Sequence, residues 1–300
     1  MTKLLLSSRT TRRLGLLAAG LILALASSGL AGAQFQGERI PARIPVISYQ
    51  GVTADPGVVH GASQPGFFDV RLEAFKEQMR YLREEGYSAI TAEDYEKWVH
   101  GEDVSLPDKP VLITFDDGTR SAQLATPVLE ENGLAATMYV VSGFADGDFG
   151  GPHGEPGWYL SWDELKQSTG LWEMQFHAGP KGHMYVRDPP DPGCRSFYAC
   201  RLGEGEPAYQ ARVKSDVAQG LGAMRSAFGL PDGWRGSSFA VPWDGAAEDW
   251  LPAYLASQFP VVFVNDYVDG RNNQRFRFEV HNPDDLEQFK ASLDSPRFAR

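Results

Sequence analysis

The residues most able to do chemistry follow apolar runs. Val111 to Phe115 leads directly into Asp116-Asp117-Gly118. Two adjacent carboxylates at the mouth of a core are expensive to bury without a cation or a proton between them. An Asp-Gly step can also serve as a plain turn, but here the run into the pair is apolar. Trp172 to Phe176 leads into His177, and Ala178-Gly179-Pro180-Lys181-Gly182 then leads to His183. That Gly/Pro-rich spacer can fold the second histidine back beside the first. One Asp and two His form a reasonable ligand set for Zn²⁺ or a similar divalent ion, with positions left open for water. Two further runs end in Pro242-Trp243-Asp244-Gly245 and in Glu279-Val280-His281. Trp243 reads as a turn residue packed on the core or as part of a site. His281 reads as a loop histidine or an acid/base group.

These residues need strands to position them, and the chain supplies strands alternating with helices. Strands are expected over 45–49, 111–115, 135–141, 172–176, 238–241, 261–264 and 275–280. Leu72, Phe75, Met79 and Leu82 share one helical face, with Asp69 available as N-cap. Thr91-Ala92-Glu93-Asp94 and Ser161-Trp162-Asp163-Glu164 open helices as capping boxes. Thr126-Pro127 reads as an N-cap followed by Pro at the first helical position. A long helix is expected over 207–228, and shorter ones over 247–257 and 284–293. This order argues for a parallel α/β architecture, an open sheet or a barrel, with ligand sites at the C-terminal ends of the strands. The irregular stretches 143–157 and 177–205 are long enough to be functional.

The chain has 300 residues. Residues 1–33 read as an export signal. Lys3, Arg9, Arg12 and Arg13 form a positive start, Leu14 to Ala26 is a short apolar run, and Ala31-Gly32-Ala33 is a small-residue cleavage site. Thr11-Arg12-Arg13-Leu14 also suits a twin-arginine signal. The expected organisation is a signal peptide over 1–33 and one domain over 34–300, secreted, periplasmic or held at the cell envelope, with no stable membrane span after signal removal. The formal charge is −11, and losing a leader with four positive and no negative charges leaves −15. So acidic a chain argues against a nucleic-acid partner. Cys194 and Cys200 are expected to form a local disulfide in an exported protein.

Thr114-Phe115-Asp116-Asp117-Gly118 resembles the first motif of the NodB-homology polysaccharide deacetylases, carbohydrate esterase family four. The similarity runs from Pro45 through His281 and includes Tyr159-Leu160-Ser161-Trp162-Asp163-Glu164-Leu165. It looks closest to the secreted branch containing the poly-N-acetylglucosamine deacetylases. The resemblance implies a distorted (β/α) barrel, an acetylated polysaccharide as substrate and a divalent metal, most simply zinc, as cofactor. It implies Asp116 as catalytic base, Asp117 with His177 and His183 as metal ligands, the backbone N–H of Trp243 as oxyanion donor, and His281 as general acid. The chain departs from the family in three places. Ala240 stands where many members have an arginine that orients the base. Gln50 stands where the secreted branch often has a histidine. The spacing to His183 is longer than usual, with His153 as an alternative ligand. The expected activity is therefore N-deacetylation. A carbohydrate O-acetyl esterase and a non-catalytic sugar-binding protein on the same fold are the competing readings.

Overall fold

The computed structural model describes residues 41–54, 69–147, 156–186, 196–244, 250–265, 274–280 and 286–299. They all belong to one unit, Glu38–Arg300. The expected leader, His153, Cys194 and His281 lie outside the described residues.

The elements in chain order are β1 (Val46–Tyr49), β2 (Gly51–Thr53), β3 (Asp69–Arg71), α1 (Leu72–Glu84), β4 (Ser88–Ala89), α2 (Ala92–His100) and β5 (Pro110–Phe115). A 3-10 segment (Arg120–Ala125) then runs into α3 (Thr126–Asn132). Next come β6 (Ala136–Val141), α4 (Ser142–Ala145), α5 (Trp162–Gln167), β7 (Trp172–Ala178) and α6 (Glu206–Phe228). The chain ends with β8 (Ser238–Ala240), α7 (Trp250–Gln258), β9 (Val261–Val264), β10 (Gln274–Phe276), β11 (Phe278–Glu279) and α8 (Leu286–Leu293).

The main sheet is parallel throughout and runs β10-β9-β8-β7-β6-β5-β1-β11, with β4 beside β5. Its two ends are joined by one residue. β10 pairs with β9, β11 pairs with β1, and Arg277 is the single residue between them. The chain thus switches partners at Arg277 and bends the sheet into a nearly closed barrel, the architecture expected from the sequence.

Side-chain alternation along the strands divides the core in two. Ile113, Phe115, Met138, Val140, Phe176 and Val262 point to the helices, where they meet Phe75, Met79 and Leu82 of α1 and Val213 and Leu221 of α6. Val46, Leu112, Tyr139, Ala240, Val261 and Phe263 point the other way and meet Tyr95 and Trp98 of α2. On β5 this second, inward set continues from Leu112 through Thr114 to Asp116. On β7 it runs through Gln175 to His177. The inward face therefore turns from apolar to polar toward the C-terminal strand ends, where both residues are buried.

Both capping boxes form as expected, Thr91 with Asp94 and Ser161 with Glu164. Two expected caps do not. α3 begins at Thr126 itself, because the preceding 3-10 segment feeds straight into it, and Thr126 Oγ1 instead accepts from Trp172 Nε1 at 3.1 Å. α1 is capped by Arg71 without a side-chain bond. Asp69 lies earlier, in β3, which pairs with β2 in a small parallel sheet. Its carboxylate is buried against Ser121 Oγ at 3.3 Å.

Burial pushes the Asp69 carboxyl up to about 6, partly offset by the Ser121 bond. At pH 3 and below the group is neutral in nearly all molecules whether folded or unfolded, so it makes little difference to stability. Above that pH the unfolded chain ionises first, and the destabilisation is complete once the pH has passed about 6. Asp69→Asn is expected to stabilise the fold at pH 8 by up to about 3 kcal/mol, a gain that shrinks to about 0.5 kcal/mol at pH 4. Urea unfolding at the two pH values checks this. Equal effects at both would show that burial of the charge is not the cause.

Candidate metal centre

The Asp116-Asp117 pair sits where β5 ends, and the backbone sends its two carboxylates apart. Asp117 has φ +69° and Gly118 φ +72°. Asp tolerates the left-handed region better than most residues, and glycine enters it freely. Asp116 stays on the inward face, where Arg277 clamps it. Nη1 reaches Oδ1 at 2.7 Å and Nη2 reaches Oδ2 at 2.5 Å. Arg277 is fully buried, its Nε donates to Asn265 Oδ1 at 2.7 Å, and its guanidinium lies 5.6 Å from the Tyr139 ring centre. The residue at which the barrel closes is therefore also the residue that holds Asp116.

Asp117 turns to the two histidines. Its Oδ1 lies 2.9 Å from His183 Nε2 and 3.4 Å from His177 Nε2, yet it is buried without a hydrogen bond of proper geometry. His177 Nδ1 lies 2.8 Å from the carbonyl oxygen of Ala240. Donation of the Nδ1 proton to that carbonyl leaves the Nε2 lone pair facing Asp117, the usual way a second partner fixes the tautomer of a ligating histidine. Burial alone would raise the Asp117 carboxyl, but His183 and His177 outweigh it and hold the group well below the usual carboxylate range.

The ligand atoms of Asp117, His177 and His183 all lie within 4.8 Å of one another. Ligand atoms at zinc distances in a tetrahedral site stand roughly 3.3 Å apart, close to the spacings seen. One buried carboxylate oxygen flanked by two imidazole nitrogens is a donor set that suits a divalent cation.

His183 reaches the site because its loop is fixed from behind. Asp216 of α6 accepts from Lys181 N at 2.8 Å and from Gly182 N at 3.0 Å. Tyr198 Oη accepts from Gly179 N at 3.0 Å. A Cβ on Gly179 would stand 2.0 Å from the Asp216 carbonyl oxygen, and one on Gly182 would stand 2.2 Å from the Tyr198 ring. The glycines of the spacer are thus required by close packing, Gly179 on α6 and Gly182 on Tyr198. Trp243 covers the other side of the site. It has φ +60°, unusual for a bulky residue. Its Nε1 donates to His183 O at 3.0 Å, and its ring centre lies 5.5 Å from that of His183.

The structure brings Asp117, His177, His183 and Trp243 together and sets Asp116, the neighbour of Asp117, against Arg277. His281 directly follows Val280, whose N–H donates to Ser48 O at 2.8 Å, but lies outside the described residues. So does Cys194, the expected partner of the buried Cys200. The sequence reading passed over Arg277 and Asp216. Both left a mark: Phe276-Arg277-Phe278 places an arginine between two phenylalanines, and Asp216 interrupts the apolar stripe Tyr209, Val213, Gly220 and Met224 of α6. The arginine that Ala240 does not supply comes from a different strand.

The fold and the site define a class: a nearly closed parallel α/β barrel with a carboxylate–histidine centre at its C-terminal strand ends. Residues 103–188, which include all three candidate ligands, match the polysaccharide deacetylase family model. Over that stretch the chain is similar to the polysaccharide deacetylases of the NodB type. The Bacillus subtilis protein YxkH is 31% identical over 102 residues, 34% of this chain and 33% of that protein. The poly-β-1,6-N-acetyl-D-glucosamine N-deacetylase of Escherichia coli K12 is 38% identical over 60 residues, 20% of this chain and 9% of that enzyme. The matches therefore span a third of one curated relative and under a tenth of the other. A solved de-N-acetylase from Aggregatibacter actinomycetemcomitans shares the fold at a TM-score of 0.66 and 19% identity, covering 84% of this chain and 100% of that one.

Two outcomes follow from the packing. Arg277→Met leaves Asp116 buried without its cation and is expected to destabilise the fold by about 3–5 kcal/mol. Asp116→Asn in the same chain should restore much of that loss, and chemical denaturation of the single and double variants measures the coupling. Asp216→Asn should weaken metal binding about 10- to 100-fold, read by competition with a chromophoric chelator. Unchanged affinity would mean that the loop holds His183 without it.

Proposed function

We propose that this protein is a metal-dependent hydrolase that removes N-acetyl groups from an amino-sugar polysaccharide outside the cytoplasm. The observation that carries the reading is the pairing of two environments on adjacent residues. Asp117, His177 and His183 form a metal-type cluster, and Asp116 stands beside it, clamped by Arg277. The poly-N-acetylglucosamine deacetylase among the relatives supports an acetylated glucosamine polymer as substrate. The basic and apolar leader supports export, and no helix among the described residues is long and apolar enough to cross a membrane. Export also suits a disulfide between Cys194 and Cys200.

Asp117, His177 and His183 would hold the ion. A bound divalent ion, with zinc suiting one carboxylate and two imidazoles, supplies a water of lowered pKa and polarises the acetyl oxygen. Asp116 serves as the base. Arg277 takes one lone pair on each of its oxygens and fixes the carboxylate plane, which leaves the remaining lone pairs to receive the water proton. The backbone N–H of Trp243 is the donor assigned to the oxygen that gains charge in the tetrahedral intermediate. One such donor is typically worth about 3 kcal/mol. The leaving amine is too basic to depart unprotonated, and His281, just past β11, is the group assigned to protonate it.

Acetate release from a panel of N- and O-acetylated glycans tests the reading, using protein as purified, after chelation, and after zinc is restored. Release from N-acetylated glucosamine polymers that is lost on chelation and recovered with zinc is expected. Release from O-acetylated substrates alone would make the protein an esterase. Glycan binding without release from any substrate would make it a binding protein on a deacetylase fold.

A further inference from the structure

Beside the candidate site, one aromatic residue is anchored at its backbone while its ring is left open to solvent. Among the described residues, four large apolar side chains are exposed: Leu124, Met184, Tyr185 and Leu202. Tyr185 is the only aromatic of the four and, at 54%, the most exposed. Single exposed apolar residues are ordinary on protein surfaces. Two observations separate Tyr185 from that background. First, its backbone is fixed: Tyr185 bridges Ser196 in antiparallel fashion, and Phe197 N donates to Met184 O at 2.9 Å. Second, its ring rests 5.1 Å from the Trp243 ring. Trp243 in turn is tied to His183 by its indole N–H. Tyr185 is thus two residues from a candidate metal ligand and shares its support, yet its free surface faces outward. Burial of that ring is a gain the isolated chain forgoes.

Resting on the deacetylase reading, we infer that Tyr185 is a stacking platform for a sugar unit adjoining the one that is deacetylated, with Trp243 as its support. A pyranose ring offers one face of C–H groups, apolar and weakly positive, which suits the electron-rich face of an aromatic ring. A polymer substrate continues on both sides of the reacting unit, so a surface next to the ligand loop meets a neighbouring unit. Tyr185 is accordingly a positioning residue that selects chains over single sugars. It takes no part in the bond-breaking step.

The test compares monomeric N-acetylglucosamine with its β-linked pentamer in steady-state acetate release by the zinc-loaded full chain. In Tyr185→Ala the KM for the pentamer should rise roughly three- to tenfold, with kcat within about twofold, and the preference for pentamer over monomer should fall by the same factor. Tyr185→Phe and Tyr185→Trp keep the aromatic face and should restore it. Equal losses on monomer and pentamer, an unchanged pentamer KM, or a Phe variant as impaired as the Ala variant would each overturn the proposal. Pentamer binding by calorimetry in the Asp116→Asn background, with and without Tyr185→Ala, reads the platform without turnover. Absence of acetate release from the wild type with weaker pentamer binding in the double variant would sink the deacetylase reading and leave the platform standing. Identical binding in the two would remove the platform whatever the activity.

Discussion

Two carboxylates on adjacent residues, both withdrawn from solvent, repel each other by about 4 kcal/mol at 4 Å and an effective dielectric of 20. Either they share a proton or each finds its own positive partner. In this chain they find separate partners, and the device is a left-handed turn. Strand alternation would send the residue after Asp116 to the helix face, but with φ +69° at Asp117 the extended run ends and the side chain meets His177 and His183 instead. Asp116 is left to Arg277. The two members of the pair thus stand in chemically different surroundings, one against a guanidinium and one against two imidazoles.

Much of the remaining architecture supports that division. Arg277 can reach Asp116 only because the last strand leaves β9 and joins β1 at that residue, so barrel closure and the clamp on Asp116 are one structural event. On the other side, the 177–183 loop reaches Asp117 because α6 grips it through Asp216 and because Gly179 and Gly182 allow close approach. Loop 158–160 secures the far end of the turn, with Leu160 N bound to Gly118 O at 2.9 Å and Arg120 N bound to Trp158 O at 2.8 Å. Arg120 also pairs with Glu164, whose carboxyl it holds down near 2.

The strand–helix order and the clustering of Asp117, His177 and His183 were legible in the sequence because their signals are local. An apolar run ending in Asp-Asp-Gly, or a capping box, is written in consecutive residues. Asp69 was misread for the same reason: its spacing before Leu72 suited an N-cap, and only the pairing of β2 with β3 shows that the position is extended and buried. Arg277 and Asp216 were passed over because each acts across long sequence separation, on Asp116 and on Lys181-Gly182. The substitution at Ala240 suggested a missing arginine. The structure shows that a guanidinium reaches the same carboxylate from another strand, which a motif read position by position does not reveal.

The account stands on the separate roles of Asp116 and Asp117, so the most direct measurement is the zinc content of Asp116→Asn and Asp117→Asn after loading and dialysis. The account predicts that Asp116→Asn keeps about one zinc per chain and Asp117→Asn loses it, both remaining folded by circular dichroism. Zinc lost equally from both variants, or retained in Asp117→Asn, would contradict the division of labour.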